Sequence, residues 1–205
     1  MRTEKYITGF CSIENGIVVK NGNTILEHKS DLPGLLLAAY QHFQLAYPKF
    51  YKMDNLSKLG WLAAEFLLKD TFNKDNYQPE ETGVILANAN SSLDDDVKYW
   101  ASIKDVASPS LFVYTLPNIV IGEICIRNHF KGEQALYIQP EFDAQFIAQQ
   151  VDYLLEKNIM QACICGWVDV FGEDYKAVLF LVEKKKTGTS VDFSAEKMGE
   201  IFNKA

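Results

Sequence analysis

The chain has 205 residues, of which 48% are hydrophobic and 23% are charged, so it can bury a core and has an ordinary globular composition. Its formal net charge is -7 and only two of its 20 basic side chains are arginines, which argues against a nucleic-acid partner because an acidic surface repels phosphate. No apolar run reaches the roughly 18 residues that a membrane span needs, and the N-terminus lacks the apolar segment of a signal peptide. We therefore expect a single domain over residues 1–205, in the cytoplasm and without a membrane span.

The chain opens with a pattern that predicts short strands. Residues 4–10 and 16–20 carry β-branched side chains, which favour strands. The dipeptide Asn21-Gly22 favours a tight turn and can close a hairpin onto Thr24-Ile25-Leu26.

Two helices follow in the predicted order. Residues 33–46 open with a proline and repeat apolar residues at helical spacing. Asp54 or Asn55 can cap the second helix, in which apolar residues recur as far as Leu67.

The middle of the chain is less regular. Residues 83–87 form a short apolar run typical of a buried strand, and residues 95–103 fit a short helix. Residues 109–130 carry both strand-forming side chains and a helical face, so periodicity does not decide between helix and strand there.

Strands alternate with helices in the rest of the sequence. The predicted elements are a strand over 135–139, a helix from Pro140 to about Lys157, strands over 161–169 and 176–183, and a helix over 194–203. This alternation favours a layered α/β fold.

The side chains that usually hold metals or attack substrates are scattered. Cys163 and Cys165 lie two apart within an apolar run, which indicates buried small hydrophobes rather than a zinc or redox pair. We interpret His42 and His129 as structural, and the run 94–96 of aspartates as a helix cap or loop, with a cation site as the alternative. No phosphate-binding glycine pattern occurs, so we expect neither a cofactor nor a metal.

Six short segments follow one another at spacings that match one family. They are Tyr6-Ile7-Thr8-Gly9, residues 50–60 with Lys52-Met53-Asp54, Thr82 to Asn88, Ser108 to Asn118, Gly122-Glu123-Ile124 and Lys131-Gly132. In this order they resemble the N-terminal half of a β-ketoacyl synthase of the thiolase superfamily, over most of residues 4–183. The resemblance implies a three-layer αβα half-thiolase-like fold with a mixed, roughly five-stranded sheet, and it makes 117–128 a helix.

The resemblance also locates the position of the family's nucleophile. In β-ketoacyl synthases the Lys-Gly pair leads into a strand that ends at the catalytic cysteine, at the start of a long buried helix. A helix N-terminus suits a thiolate because it lowers the thiol pKa. Counting from Gly132 places Glu141 at this position, with Gln139 and Asp143 within the error of an element boundary.

None of these three residues is a thiol, and a carboxylate is a poor acyl carrier because its anhydride hydrolyses readily. The structural alternative is that Pro140 is the first helical residue and that Glu141 and Asp143 complement the helix dipole in the first turn. The family's second half, which supplies histidines and a lysine, has no counterpart after His129. The resemblance therefore predicts a chain that does not condense acyl units alone.

Ketosynthases dimerise through the strand before the nucleophile. That strand corresponds here to Ala135, Leu136, Tyr137, Ile138 and Gln139. The resemblance thus implies a homodimer or a heterodimer with a ketosynthase, and an acyl carrier protein as a further partner. Two alternatives remain open: an active site completed by another subunit, and a structural homodimer without acyl chemistry.

Overall fold

The computed structural model describes residues 4–104, 106–188 and 190–204 as a mixed sheet with helices on both faces. The strands are β1 (Tyr6–Glu14), β2 (Ile17–Lys20), β3 (Asn23–Glu27), β4 (Thr82–Asn88), β5 (Gln134–Ile138), β6 (Ala162–Phe171), β7 (Asp174–Glu183) and β8 (Val191–Asp192). The helices are α1 (Leu32–His42), α2 (Asn55–Leu68), α3 (Leu93–Ser102), α4 (Pro109–Tyr114), α5 (Ile119–Asn128), α6 (Ala144–Glu156) and α7 (Ala195–Lys204).

The eight-stranded sheet has the order β3-β2-β1-β7-β6-β4-β5, with β8 paired to the start of β1. Strands β5 and β6 flank β4 in parallel, while β7 runs antiparallel to both β6 and β1. The five strands from β5 to β1 form the mixed sheet that the family resemblance implied. The β2–β3 hairpin and β8 add three strands beyond that number, and the hairpin turns at Asn21 and Gly22 as expected.

Each face of the sheet packs against its own set of helices. Helices α1, α2 and α5 cover one face, where Trp61, Phe66 and Leu179 are buried. Helices α6 and α7 cover the other, where Phe180 and Met198 are buried. This arrangement confirms the three-layer αβα architecture, because apolar side chains that alternate along the strands need cover on both sides.

The segment that periodicity left open, residues 109–130, is helical and forms α4 and α5. Ser108 caps α4 by accepting a hydrogen bond from the backbone N–H of Leu111. Helix α5 buries Val120, Ile121 and Ile124, so its β-branched residues serve packing rather than a strand. Burial in the tertiary structure overrides the intrinsic preference of these residues for strands.

The predicted start of α6 is wrong by four residues. Pro140 and Glu141 lie in the loop before the helix, and α6 begins at Ala144 with Asp143 as its N-cap. Asp143 Oδ1 accepts a 2.9 Å hydrogen bond from the backbone N–H of Phe146. A capping aspartate satisfies an orphan backbone donor directly, and this outweighs the general preference for proline at the first helical position.

Candidate functional site

The loop between β5 and α6 holds the three residues expected near the family's nucleophile position. The backbone N–H of Gln139 donates a 2.9 Å hydrogen bond to the carbonyl of Asn88, so this residue continues the pairing between β5 and β4. Glu141 is exposed, and within the described parts of the chain its side chain forms no ion pair or hydrogen bond. Phe142 anchors the loop by stacking on Phe202, with ring centroids 4.1 Å apart.

The structure assigns different places to these three residues. Asp143 alone lies at the helix terminus, whereas Glu141 precedes the first helical residue by three positions. Asp143 therefore caps α6, and Glu141 does not lie in the first turn as the structural alternative required. Which of them matches the family's nucleophile position stays a prediction.

Thiol chemistry has little support in the described residues. All four cysteines are unpaired and buried. Burial raises the pKa of the Cys11 and Cys125 thiols to about 12. Burial, together with the neighbouring Cys163, raises the pKa of Cys165 well above its usual value. A thiol that ionises so reluctantly is a poor nucleophile, which agrees with the interpretation of Cys163 and Cys165 as core residues.

Strand β5 lies at one end of the sheet. Its inner edge pairs with β4 from Gln134 to Ile138, and its outer edge has no neighbouring strand among the described residues. Because the N–H of Gln139 bonds to β4 and strand positions alternate, the N–H groups of Leu136 and Ile138 point away from the sheet. The strand has no charged residue, and Ile138 is 52% exposed. Strand β5 thus has the features of an edge that can pair with another chain.

A polar cluster lies at the carboxyl ends of β4 and β6, beside the loop between β5 and α6. Asp169 Oδ1 accepts hydrogen bonds from the backbone N–H groups of Ala89 and Asn90, at 3.1 and 2.9 Å, and Asp169 Oδ2 accepts one from Asn90 Nδ2 at 2.7 Å. Asn88 is fully buried, and its Nδ2 donates to the carbonyl of Ser91. These bonds fix the loop that leads from β4 into α3.

Asp95 is the most unusual residue of this polar cluster. Its side chain is 1% exposed, and its Oδ2 lacks a hydrogen-bond partner in the described residues. Burial, together with the charge of nearby Asp54, raises the pKa of the Asp95 carboxyl to about 6. Burial also raises the pKa of Asp54, although hydrogen bonds from Ser57 oppose this rise.

A second buried acid lies close by on α5. Glu123 is 3% exposed, pairs with Lys49 Nζ at 2.7 Å and accepts a hydrogen bond from the hydroxyl of Tyr47. Burial and the charge of Glu123 raise the pKa of Tyr114 to about 12. Asp54 and Asp95 are thus the carboxyl groups of this region whose pKa burial raises.

The remaining sequence candidates lie apart from the loop or have structural roles. His42 lies in the last turn of α1 against Phe43, and His129 ends α5 in a left-handed conformation. The described residues contain no group of histidine, cysteine or acidic side chains arranged to hold a metal. Within the same residues, no helix is both long and apolar enough to cross a membrane.

Sequence reasoning missed Asp169, Asn88 and the burial of Asp95. Asp169 falls in an apolar strand, and a lone charged residue near a strand end was the only available signal. The run 94–96 gave no sign of which aspartate is inside. In the structure Asp94 accepts a hydrogen bond from the N–H of Gly172, and Asp96 accepts one from the hydroxyl of Ser92.

Comparison with solved structures identifies the fold. The chain matches the ishigamide ketosynthase/chain length factor with a TM-score of 0.63 and 16% identity, over 88% of this chain and 62% of that one. It matches a type II PKS ketosynthase in complex with its acyl-carrier protein (AntDE:AntF) with a TM-score of 0.60 and 16% identity, over 89% and 63% of the two chains. It also matches the ketosynthase ApeO in complex with its chain length factor ApeC from Xenorhabdus doucetiae, with a TM-score of 0.56 and 12% identity, over 90% and 80%.

These similarities show a ketosynthase-like half-thiolase fold, as the sequence motifs predicted. The chain spans 62% and 63% of the length of the first two structures. Neither a protein-family model nor a curated protein matches the sequence.

Proposed function

We propose that this chain is a ketosynthase-like partner subunit of polyketide-type or fatty-acid-type biosynthesis, located in the cytoplasm. It does not condense acyl units alone, and it pairs with a ketosynthase through the free edge of β5. The observation that carries this proposal is an uncharged edge strand whose outer side has no neighbouring strand among the described residues, followed by a loop without a thiol.

The known complexes support the choice of partner. The solved structures with this fold include a ketosynthase with its chain length factor and a ketosynthase with its acyl-carrier protein. The backbone of an edge strand is already extended, so the strand loses little conformational entropy when it pairs with another sheet. The ketosynthase is accordingly the partner that we assign to β5.

An acyl carrier protein is the second proposed partner. The chain is acidic overall, so an acidic carrier needs a local basic surface. Lys184, Lys185 and Lys186 provide three consecutive cations at the end of β7. The ammonium of Lys185 lies 5.6 Å from the ring centroid of Tyr77, and that of Lys186 lies 5.3 Å from Tyr6. Replacing Lys185 and Lys186 with glutamate should weaken carrier binding, as measured by titration of a purified carrier protein.

Two other functions remain as alternatives. The chain can supply part of an acyltransferase or 3-oxoacyl synthase site that another subunit completes, for which exposed Glu141 beside β5 is the candidate contribution. It can also be a structural homodimer without acyl chemistry, which the absence of like charges along β5 favours.

The decisive experiment is the native mass of the tagged protein purified from its own source cell, with every co-purifying chain identified. A stoichiometric ketosynthase is expected. The variant Ile138→Lys, which places a charge at the edge, should abolish this association. Leu37→Lys is the matched control, because Leu37 is 39% exposed on α1, which follows β3 at the opposite end of the sheet. Purification of the chain without a ketosynthase, or equal loss with both variants, would contradict the proposal.

A further inference from the structure

Two hairpin turns of the sheet contain the same dipeptide. Asn15-Gly16 joins β1 to β2, and Asn21-Gly22 joins β2 to β3. The φ angles are 52° and 79° in the first turn and 49° and 81° in the second, and positive values at both central residues are typical of two-residue hairpin turns. Because these backbone angles nearly coincide, a difference in reactivity between the two asparagines must come from their surroundings.

An asparagine that precedes a glycine can lose its side-chain amide to its own backbone. The backbone nitrogen of the glycine attacks the side-chain carbonyl carbon, its proton goes to the leaving amide group as ammonia, and a succinimide ring forms. Water then opens the ring at one of its two carbonyls and gives aspartate or isoaspartate. One amide and one water thus become one acid and one ammonia, with no oxidation or reduction. Glycine favours the attack because it has no β-carbon in the way.

The first turn withholds its glycine nitrogen from this reaction. Gly16 is buried, and its N–H donates a 2.8 Å hydrogen bond to the hydroxyl of Tyr175. Its carbonyl accepts a 2.8 Å hydrogen bond from the N–H of His28, and a β-carbon on Gly16 would lie 2.9 Å from the carbonyl oxygen of His28. The nitrogen of Gly16 therefore cannot reach the side chain of Asn15 unless a buried hydrogen bond breaks and the turn moves.

The second turn leaves the same nitrogen free. Asn21 and Gly22 are exposed, and a β-carbon on Gly22 would meet nothing within 4 Å. Among the described residues, no group accepts a hydrogen bond from the N–H of Gly22. The side-chain oxygen of Asn21 accepts a 2.8 Å hydrogen bond from the backbone N–H of Phe10. A donor at this oxygen stabilises the negative charge that develops there as the nitrogen attacks.

We propose that Asn21 is a modification site, which the backbone nitrogen of Gly22 converts to aspartate or isoaspartate, whereas Asn15 is protected. The aspartate product still accepts the hydrogen bond from Phe10. The isoaspartate product adds one carbon to the backbone, so the two-residue turn no longer fits and the pairing of β2 with β3 is disrupted. This hairpin lies at the opposite end of the sheet from β5, so the proposal is independent of pairing with a ketosynthase.

Peptide mapping by mass spectrometry tests the proposal on the purified chain after incubation at mildly alkaline pH. In the folded chain, Asn21 should convert about ten-fold faster than Asn15 or more, because one buried hydrogen bond protects Gly16. In urea the two asparagines should convert at similar rates, because glycine follows both. Similar rates in the folded chain, or an Asn21 that persists there while it converts in urea, would overturn the proposal.

Tyr175→Phe tests the cause of the difference, since it keeps the ring and removes the acceptor of the Gly16 N–H. It should speed the conversion of Asn15 several-fold and leave that of Asn21 unchanged. An unchanged rate at Asn15 would overturn the protection that we assign to Tyr175.

Asn21→Asp tests the consequence for the hairpin, because it imitates the aspartate product. Amide hydrogen exchange in β2 and β3 should match that of the unmodified chain, whereas the isoaspartate fraction should exchange faster there. Exchange in the isoaspartate fraction as slow as in the unmodified chain would overturn the proposed disruption of the turn.

Discussion

Asp95 makes the stability of the fold depend on pH. Its folded-state pKa of about 6 lies above the ordinary value of about 3.9 for an aspartate, so the folded chain holds the proton more tightly than the unfolded chain. The stabilising contribution is fully present below about pH 4, declines as pH rises and is lost above about pH 6. Removing the charge should therefore stabilise the protein at neutral pH.

We expect Asp95→Asn to raise the free energy of unfolding at pH 7.5 by roughly 1–3 kcal/mol and to have little effect at pH 4. Urea denaturation of both proteins across this pH range measures the difference. Asp174→Asn, at an exposed position, is the matched control for the loss of one carboxylate. A variant that is equally destabilised at both pH values would show that Asp95 acts as a hydrogen-bond acceptor rather than as an unfavourable charge.

Individual residues were the least predictable level of this structure. Asp94, Asp95 and Asp96 are the same residue type, and only the direction of each side chain on α3 separates the two partly exposed acids from the buried one. Glu141 and Asp143 are likewise separated by a helix boundary that shifted by four residues. Counting along a sequence cannot resolve roles that depend on one helical turn.

At the scale of elements, Gly166 fixes the contact between the central strands β6 and β7. Its φ is 141°, and a β-carbon there would lie 2.1 Å from the carbonyl oxygen of Val178. Gly166→Ala should lower the free energy of unfolding by at least roughly 1–3 kcal/mol, from backbone strain and this clash. Gly122→Ala on α5 provides a control of opposite sign, because a β-carbon there meets nothing within 4 Å. It should stabilise by roughly 0.5–1 kcal/mol in the same denaturation assay. Equal effects of the two variants would contradict this account.

Most elements were predictable because their patterns are local. Asp54 accepts a hydrogen bond from the N–H of Ser57 and caps α2 as the sequence indicated. The hairpin at Asn21-Gly22 needs only its two turn residues. Residues 109–130 resisted the same reasoning, since β-branched residues at helical spacing satisfy both patterns. The family resemblance selected a helix over 117–128 only, and α4 was not predicted.

At the scale of the whole molecule, the chain should be inert toward thioesters. The described cysteines are buried, and the loop from Gln139 to Asp143 has no thiol. Incubation of the purified chain with malonyl and acyl thioesters should give no mass adduct and release no carbon dioxide. A covalent adduct on Glu141 or on any cysteine would favour the alternative in which this chain supplies part of an active site.

The order of the strands was beyond the reach of periodicity. Hydrophobic alternation marks β4 and β6 as buried, but nothing local places β5 at the edge or inserts β7 between β6 and β1. Those features depend on contacts between residues far apart in sequence. The family resemblance implied the edge position of β5, and the position of β7 was not predicted. The exposure of large apolar side chains on α3 and α4, such as Trp100 and Phe112, was not predicted, because exposure is a property of the assembled molecule.

The central claim is that β5 pairs with a ketosynthase, and amide hydrogen exchange tests it most directly. The N–H groups of Leu136 and Ile138 point away from β4, so they should exchange rapidly in the chain alone. In the complex with the co-purified ketosynthase, both amides should become strongly protected, while the exposed loop around Glu141 changes less. Unchanged exchange at Leu136 and Ile138 in a stoichiometric complex would contradict the account, because the partner would then bind elsewhere.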